Sequence, residues 1–293
     1  LAIRMSILDR LISQLALEQV DEMRYVGRST DIFLSGRVFG GQVLGQALMA
    51  ANYTTPDDRF AHSMHAYFVR AADASLPIEY VVENIRDGGS FSVRRVSASQ
   101  QGKFIFTLSC SYQTVESGLE HQVTMPAAPA PEDCALEQDI QQELVEKIGV
   151  TKWNARLKRE RPLEVRLVHP ELQLELGHHE PKTMYWIRTN GVMPDDQRLH
   201  QGMLAYVSDF YLMSTALLPH ARRHFDPDMQ MASLDHAQWF HRPINMNEWV
   251  LYVAESTSAQ AARGLVHGTF FNQAGELISS AAQEGLMRQR IIK

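Results

Sequence analysis

Tyr80-Val81-Val82-Glu83 returns as Tyr252-Val253-Ala254-Glu255, 172 positions further on. At the same spacing Phe68-Val69-Arg70 is matched by Phe240-His241-Arg242. Gln100-Gln101-Gly102-Lys103 is matched by Gln273-Ala274-Gly275-Glu276, now 173 positions on, as a one-residue loop insertion would produce. Each match is short. Their common order and near-constant spacing point to a duplicated unit, with a period far too long for a solenoid.

Each unit reads as a helix followed by long strands. The first helix opens at Gly40-Gly41; the second follows Pro194-Asp195-Asp196, where either aspartate can cap the first turn. Alternation predicts strands over His62–Arg70, Pro77–Arg86, Ser90–Gln100 and Lys103–Val115, and again over Met231–Arg242, Glu248–Ser256, Ala262–Asn272 and Glu276–Met287. After Lys103, the residues Phe104, Phe106, Leu108, Cys110 and Tyr112 fall on one face. One central helix against a curved antiparallel sheet, made twice, is an α+β architecture.

Between the units, Met125-Pro126-Ala127-Ala128-Pro129-Ala130-Pro131-Glu132 forms neither helix nor ladder, because proline lacks the backbone donor. It reads as a stiff linker, followed by a solvated helix over Ala135–Ile148. The expected division is therefore an N-terminal unit (1–118), a linker with its helix (119–150) and a C-terminal unit (151–293). The basic run Lys152, Arg156, Lys158, Arg159, Arg161 suits either the phosphates of an anionic ligand or a plain wet surface.

Composition closes off several classes. The chain has 293 residues, 45% hydrophobic and 21% charged, as ordinary globular proteins do. A net charge of −6 without a dominant basic block leaves no electrostatic footprint for nucleic acid. No apolar run approaches the roughly 20 residues of a membrane span. Two cysteines, Cys110 and Cys134, rule out a disulfide framework and a four-thiolate zinc site, and suit a reducing compartment. Met5-Ser6 reads as a natural start, and Ile7, Leu8, Leu11, Ile12 and Leu15 form an amphipathic helix rather than a secretion signal. The ending Ile291-Ile292-Lys293 is not the Ser-Lys-Leu peroxisomal address. The cytoplasm is the expected location.

Where the copies differ, chemistry can live. At the 173 spacing, Phe104, Phe106, Leu108 and Cys110 correspond to Leu277, Ser279, Ala281 and Gln283. An apolar row has become small residues and an amide that both donates and accepts. Asp209 is the one charge in the otherwise apolar helical stretch Met203–Met213. A carboxylate there is either buried or lines a cleft, and burial without partners costs several kcal/mol or drives protonation. In Met231–Phe240, strict alternation puts Ser233, Asp235, Ala237 and Trp239 on one face, with His236 and Gln238 on the other.

At these residues the sequence resembles the acyl-CoA thioesterase II family, the double-hotdog thioesterases, over essentially the whole chain. The resemblance is carried by Arg37-Val38-Phe39-Gly40-Gly41-Gln42, Asp87-Gly88-Gly89-Ser90-Phe91, the Pro/Ala linker, Tyr206-Val207-Ser208-Asp209, Asp235 to Pro243, and Gln283-Glu284-Gly285. It implies two tandem hotdog folds and hydrolysis of fatty acyl-CoA, of medium or long chain, to fatty acid and CoA, with no metal or cofactor. It further implies a homo-oligomer, dimer or tetramer. The family's water-holding Asp, Thr or Ser, and Gln fall on Asp209, Ser233 and Gln283. Serine stands here where many bacterial members carry threonine; the donor is kept, and the missing methyl loosens its rotamer. Asp209 suits a general base, worth about 10²–10⁴-fold. Ser233 and Gln283 suit orientation of the water. Backbone N–H groups at the Gly-Gly turn or a helix start are open to the developing oxyanion.

Other readings are weaker. No G-x-S-x-G string marks a serine hydrolase elbow, and alternation separates Ser233 from His236. His62, His65, His178 and His179 lack metal-ligand geometry, and no G-x-x-x-x-G-K phosphate loop occurs. A hotdog enoyl-CoA hydratase wants Asp-x-Asn-Pro-x-His; Asp196-Gln197-Arg198-Leu199-His200 keeps the ends and lacks Asn-Pro. A non-catalytic acyl-CoA carrier or regulator is the alternative from a different class.

Overall fold

A computed structural model describes residues 5–30, 35–149 and 160–291. The basic positions Lys152, Arg156, Lys158 and Arg159 lie outside the described residues, as do Leu1 to Arg4.

The chain begins with α1 (Ile7–Leu15), whose first turn is closed by Ser6 and Asp9 capping each other's backbone N–H. Two short strands, β1 (Glu18–Asp21) and β2 (Arg24–Gly27), precede the helix α2 (Gly40–Tyr53). Then come β3 (Arg59–Phe68), β4 (Ile78–Asp87), β5 (Phe91–Gln100) and β6 (Lys103–Thr114). The linker leads into β7 (Ala135–Leu136) and α3 (Glu137–Ile148). The second half has β8 (Leu163–Leu167), β9 (Lys182–Thr189), the central helix α4 (Gln197–Ser208) and the short helix α5 (Leu212–Leu217). It ends with β10 (Met229–Ser233), β11 (Asp235–Phe240), β12 (Val250–Gln260), β13 (Arg263–Asn272) and β14 (Leu277–Gln289).

These strands make one sheet in the order β1-β2-β4-β5-β6-β3-β11-β14-β13-β12-β9-β8-β7, with β10 also paired to β14. The halves join where β11 pairs antiparallel with β3, Ala237 opposite His65. Each half wraps its strands around its own helix, the double-hotdog arrangement. α2 and α4 pack against each other at the centre. Gly41 allows that approach, since a Cβ there would run into the Tyr206 carbonyl.

The duplication extends to individual hydrogen bonds. Val69 N and Arg70 N both donate to Ile105 O, at 2.9 and 3.1 Å; His241 N and Arg242 N both donate to Ile278 O, at 2.9 and 3.4 Å. The Arg70 guanidinium donates to Phe104 O at 2.6 Å, and that of Arg242 to Leu277 O at 2.8 Å.

Four sequence expectations change in detail. The strand expected over 231–242 is broken at Leu234, which leaves the β11 ladder to donate to Glu284 O and accept from Phe68 N. The helix expected to run past Asp209 stops at Ser208, and Tyr211, at φ 67°, turns the chain into α5. Phe104 is 40% exposed, because a bulge in the β5–β6 ladder swings it outward and Ile105 inward. The proline-rich linker is packed rather than free: Trp186 Nε1 donates to Pro129 O at 2.9 Å, and Met125 and Ala128 cover Trp186, Trp249 and Phe271 on the sheet's outer face. The helix after it is half-solvated, with Glu137, Ile140, Leu144 and Val145 buried. Arg161, last of the basic run, bonds the Glu137 carboxylate at 2.7 Å.

Candidate active site

Asp196 starts α4, its Oδ1 accepting from Arg198 N at 2.9 Å and Leu199 N at 3.3 Å. From Leu199 to Ser208 every residue is buried. The helix therefore runs through the core and delivers its C-cap, Asp209, to the far end. There Tyr211 enters the left-handed region and forces the exit, with Ser214 Oγ and Thr215 Oγ1 donating to its carbonyl.

A carboxylate at the C-terminus of its own helix meets an unfavourable dipole. Asp209 is compensated from the other half, because it lies at the N-terminus of α2. A Cβ on Gly40 would sit 2.6 Å from its Oδ2, and the Gly41 backbone amide lowers the pKa of the carboxyl. That is the anion-favouring end of a helix.

Two strands complete the group. Gln283, on β14, is 1% exposed and donates from Nε2 to Ser233 Oγ at 3.0 Å. Ser233, the last residue of β10, donates to Asp209 Oδ1 at 3.4 Å. Gln283 also lowers the pKa of the carboxyl. The hydroxyl contact is long, so Oδ1 keeps lone-pair capacity for a further donor such as water. Phe39, Tyr206 and Phe210 form an aromatic wall around this end, with the Phe39 and Phe210 centroids 4.4 Å apart. Desolvation pushes the Asp209 carboxyl up to about 6, against the bonds from Gln283, Gly41 and Ser233 that lower it. The side chain remains partly accessible and is mostly ionised at neutral pH.

All three residues expected from the sequence, Asp209, Ser233 and Gln283, come together. Alternation misplaced a neighbour. Because the strand breaks at Leu234, Ser233 and His236 both reach Gln283 instead of pointing to opposite faces. His236 is 1% exposed, with Nδ1 2.6 Å from Gln283 Oε1 and Nε2 2.9 Å from Ser208 Oγ. The signal that could have exposed the break is the cluster of polar residues Ser233, Asp235, His236 and Gln238, which a two-residue period cannot place on one wet face. The Gly-Gly turn, one of the backbone segments left open for the oxyanion, lies against Asp209.

The rival centres are occupied by other work. His236 bonds Gln283 and Ser208, while Ser233 bonds Asp209 and Gln283, so Ser233 and His236 do not pair. Asp196 is a helix cap, and His200 accepts from Met246 N at 3.1 Å, about 13–14 Å of helix away from Asp209. Burial pushes the Cys110 thiol up to about 12, which leaves it unreactive. Among the described residues, no three His, Cys, Asp or Glu side chains are grouped so as to hold a metal ion. No described helix is long and apolar enough to cross a membrane.

Comparison with known proteins agrees from several directions. Residues 154–286 match the acyl-CoA thioesterase family model, and residues 31–113 match the acyl-CoA thioesterase N-terminal domain. Acyl-CoA thioesterase 2 of Haemophilus influenzae is 42% identical, covering 96% of this chain and 98% of its own. Acyl-coenzyme A thioesterase 8 of Homo sapiens is also 42% identical, over 94% of this chain and 87% of its own. The crystal structure of an acyl-CoA thioesterase II from Mycobacterium marinum, 38% identical, superposes with a TM-score of 0.77 over 95% of this chain and 98% of that one. A hotdog-fold protein from Alicyclobacillus acidocaldarius, 17% identical, shares the fold with a TM-score of 0.75 over 96% of this chain and 99% of that one. The chain belongs to the acyl-CoA thioesterase II family.

Proposed function

We propose that Asp209 is the general base with which this thioesterase hydrolyses medium- and long-chain fatty acyl-CoA, and that Ser233 and Gln283 hold the nucleophilic water beside it. The carboxylate takes a proton from water as the water oxygen attacks the thioester carbonyl carbon. The tetrahedral adduct then collapses, the carbon–sulfur bond breaks, and the CoA thiolate leaves and is protonated. A base of this kind supplies about 10²–10⁴-fold, and a fixed water supplies orientation in addition. A carboxyl poised near 6 is basic enough to take the proton and still largely ionised at neutral pH.

The observation that carries this reading is the convergence of Gln283, Ser233 and the Gly41 N–H on one desolvated carboxylate. The decisive measurement is thiol release from medium- and long-chain acyl-CoA by wild type and Asp209→Asn. We expect hydrolysis by the wild type and a loss of at least about 10²-fold in the variant. Binding without thiol release in either protein would favour a non-catalytic acyl-CoA carrier; hydration of enoyl-CoA would favour a hydratase.

The same proposal treats 1–118 and 151–293 as the two hotdog units, with 119–150 strapping one to the other through the packed linker. Two free, buried cysteines suit a cytoplasmic enzyme of lipid metabolism. Exposed Tyr67 and Trp239 on the outer face at the junction of the halves suit a homo-oligomer, dimer or tetramer.

A further inference from the structure

Behind Gln283 lies a buried polar system that the proposed chemistry does not itself use. His236 and Gln283 stand across the β11–β14 ladder, one step beyond the Ala237–Ala282 pair. Their counterparts in the first half are Met64 and Cys110, which are paired across β3 and β6. The next pair along that ladder, Ala66 and Leu108, corresponds to Gln238 and Ala281. Phe68 and Phe106 correspond to Phe240 and Ser279. One copy fills this space with apolar side chains. The other fills it with His236, Gln283, Gln238 and Ser279, all 1% exposed or less. Buried polar groups are costly unless bonded, and here they are: Gln238 Nε2 donates to Ser279 Oγ at 3.1 Å, and Ser279 Oγ donates to Trp239 O at 2.7 Å.

The contacts have a direction. Asp209, as a carboxylate, only accepts, so the amide nitrogen of Gln283 must face it and the Ser233 hydroxyl. The amide oxygen therefore turns to the imidazole, 2.6 Å from Nδ1, and Nδ1 must carry the hydrogen. Burial depresses His236 to about 4, so its ring is neutral at pH 7 and has one N–H only. Nε2 is then bare and needs a donor; the Ser208 hydroxyl, 2.9 Å away, fills that role, with Ala205 O at 2.8 Å and Gln238 Oε1 at 3.2 Å as its competing acceptors. The chain of donation runs Ser208 to His236, His236 to Gln283, Gln283 to Ser233, and Ser233 to Asp209.

We propose that His236, held in its Nδ1–H tautomer by Ser208, is a positioning residue that locks the Gln283 amide with its nitrogen toward the nucleophilic water and Asp209. The idea rests on the assignment of Asp209 as base and of Gln283 as a water holder. Without the imidazole donor, the amide is free to invert, and its oxygen would then face the carboxylate and the water. From the elements packed on Asp209, the facing groups are the Gly41 N–H of α2, Ser233 of β10, Gln283 of β14 and Tyr252 of β12. Burial and the Asp209 charge push the Tyr252 phenol well up, so it stays neutral. Gln283 is thus the adjustable donor, and its inversion would also weaken Asp209 as an acid.

The test is a set of three variants of the full-length protein, His236→Leu, His236→Asn and His236→Gln, assayed for kcat, KM and pH dependence on one acyl-CoA. The Nδ2 of asparagine can stand in for Nδ1; the amide of glutamine reaches instead toward Nε2. We expect His236→Leu to lose about 10²-fold in kcat, with KM changed less than about threefold and the acid limb of the rate profile displaced to higher pH. His236→Asn should recover most of both effects, and His236→Gln should not. Equal kcat values for the Asn and Gln variants, or an unmoved acid limb in the Leu variant, overturn the proposal. If His236→Leu fails to fold, the Asn–Gln comparison decides alone. Asp209→Asn run alongside separates the levels: if it keeps full activity, the base assignment falls and this inference with it. If it is inactive while the His236 variants are alike, only the positioning role falls.

Discussion

Gly40 and Asp209 meet although they belong to different halves of the molecule: a Cβ on Gly40 would lie 2.6 Å from Asp209 Oδ2, and the neighbouring Gly41 backbone amide favours the ionised carboxylate. The proposed base ends the second-half helix and is held by the start of the first-half helix, so catalysis needs both units docked. The two glycines at that start should then fail differently. A methyl on Gly40 points at Asp209 Oδ2, 2.6 Å away, and at the Phe68 ring, 3.1 Å away. A methyl on Gly41 meets the Tyr206 backbone carbonyl. We expect Gly40→Ala to fold and lose about 10–10²-fold in kcat, as a displaced base would. Gly41→Ala should instead lose about 1–3 kcal/mol of stability through overpacking of the helix pair. Thermal melts and kcat measured on both variants check the contrast.

The rate profile of the wild type should show an acid limb near the Asp209 value of about 6, with activity rising as the carboxyl ionises. The same shift has an opposite sign for stability. The folded-state value lies above the unfolded one, so the folded protein binds the extra proton between about 4 and 6. Stability from this group is present below the unfolded value and is lost as pH rises through the folded one. Asp209→Asn, neutral throughout, escapes that loss. It should melt higher than wild type at pH 8, and the gap should narrow as pH falls from about 6 to about 4.

Periodicity and the internal repeat made most of this fold legible, because β3 to β6, β13 and β14 are long strands whose burial largely alternates. Asp209 stood out as a lone charge among apolar residues, and Gln283 by comparison with Cys110. What escaped the sequence were interruptions made by tertiary contacts. Nothing local forbids Leu234 from continuing a strand; it leaves because Phe68 N and Glu284 O, both distant in sequence, claim its backbone. Nothing local announces that the helix ends at Ser208, since its stop is a tyrosine in a conformation that usually needs glycine. Both breaks lie at the candidate site, where local preference yields to geometry.

Ser233 separates donation from packing. Its hydroxyl receives Gln283 and donates to Asp209, so Ser233→Ala should lower kcat by about tenfold, the worth of one bond to a charged group. Ser233→Thr keeps the hydroxyl and adds a methyl that restricts χ1. Its kcat should equal or exceed that of wild type. A threonine variant as slow as the alanine one would mean that shape at this position, not the donor, sets the rate.

Arg198 ties the other end of the helix pair. Its guanidinium donates to Asn52 O at 3.0 Å, Thr55 O at 3.3 Å, Pro56 O at 2.5 Å and Arg59 O at 3.0 Å. Asn52 O lies in the last turn of α2, and the other three carbonyls in the loop and strand start that follow it, where a cation is favoured by the helix dipole. Arg198→Ala would leave several partly buried carbonyls short of a donor, at a cost of about 1.5–3 kcal/mol. Lysine restores the charge but cannot fork across four acceptors, so Arg198→Lys should recover only part. Asp209 lies at the opposite end of α4. Both variants should therefore keep kcat within about twofold at temperatures where they remain folded, while their melting points fall. A loss of kcat in protein that is still folded would mean that the tilt of α4, set at Arg198, is what aims the carboxylate at its other end.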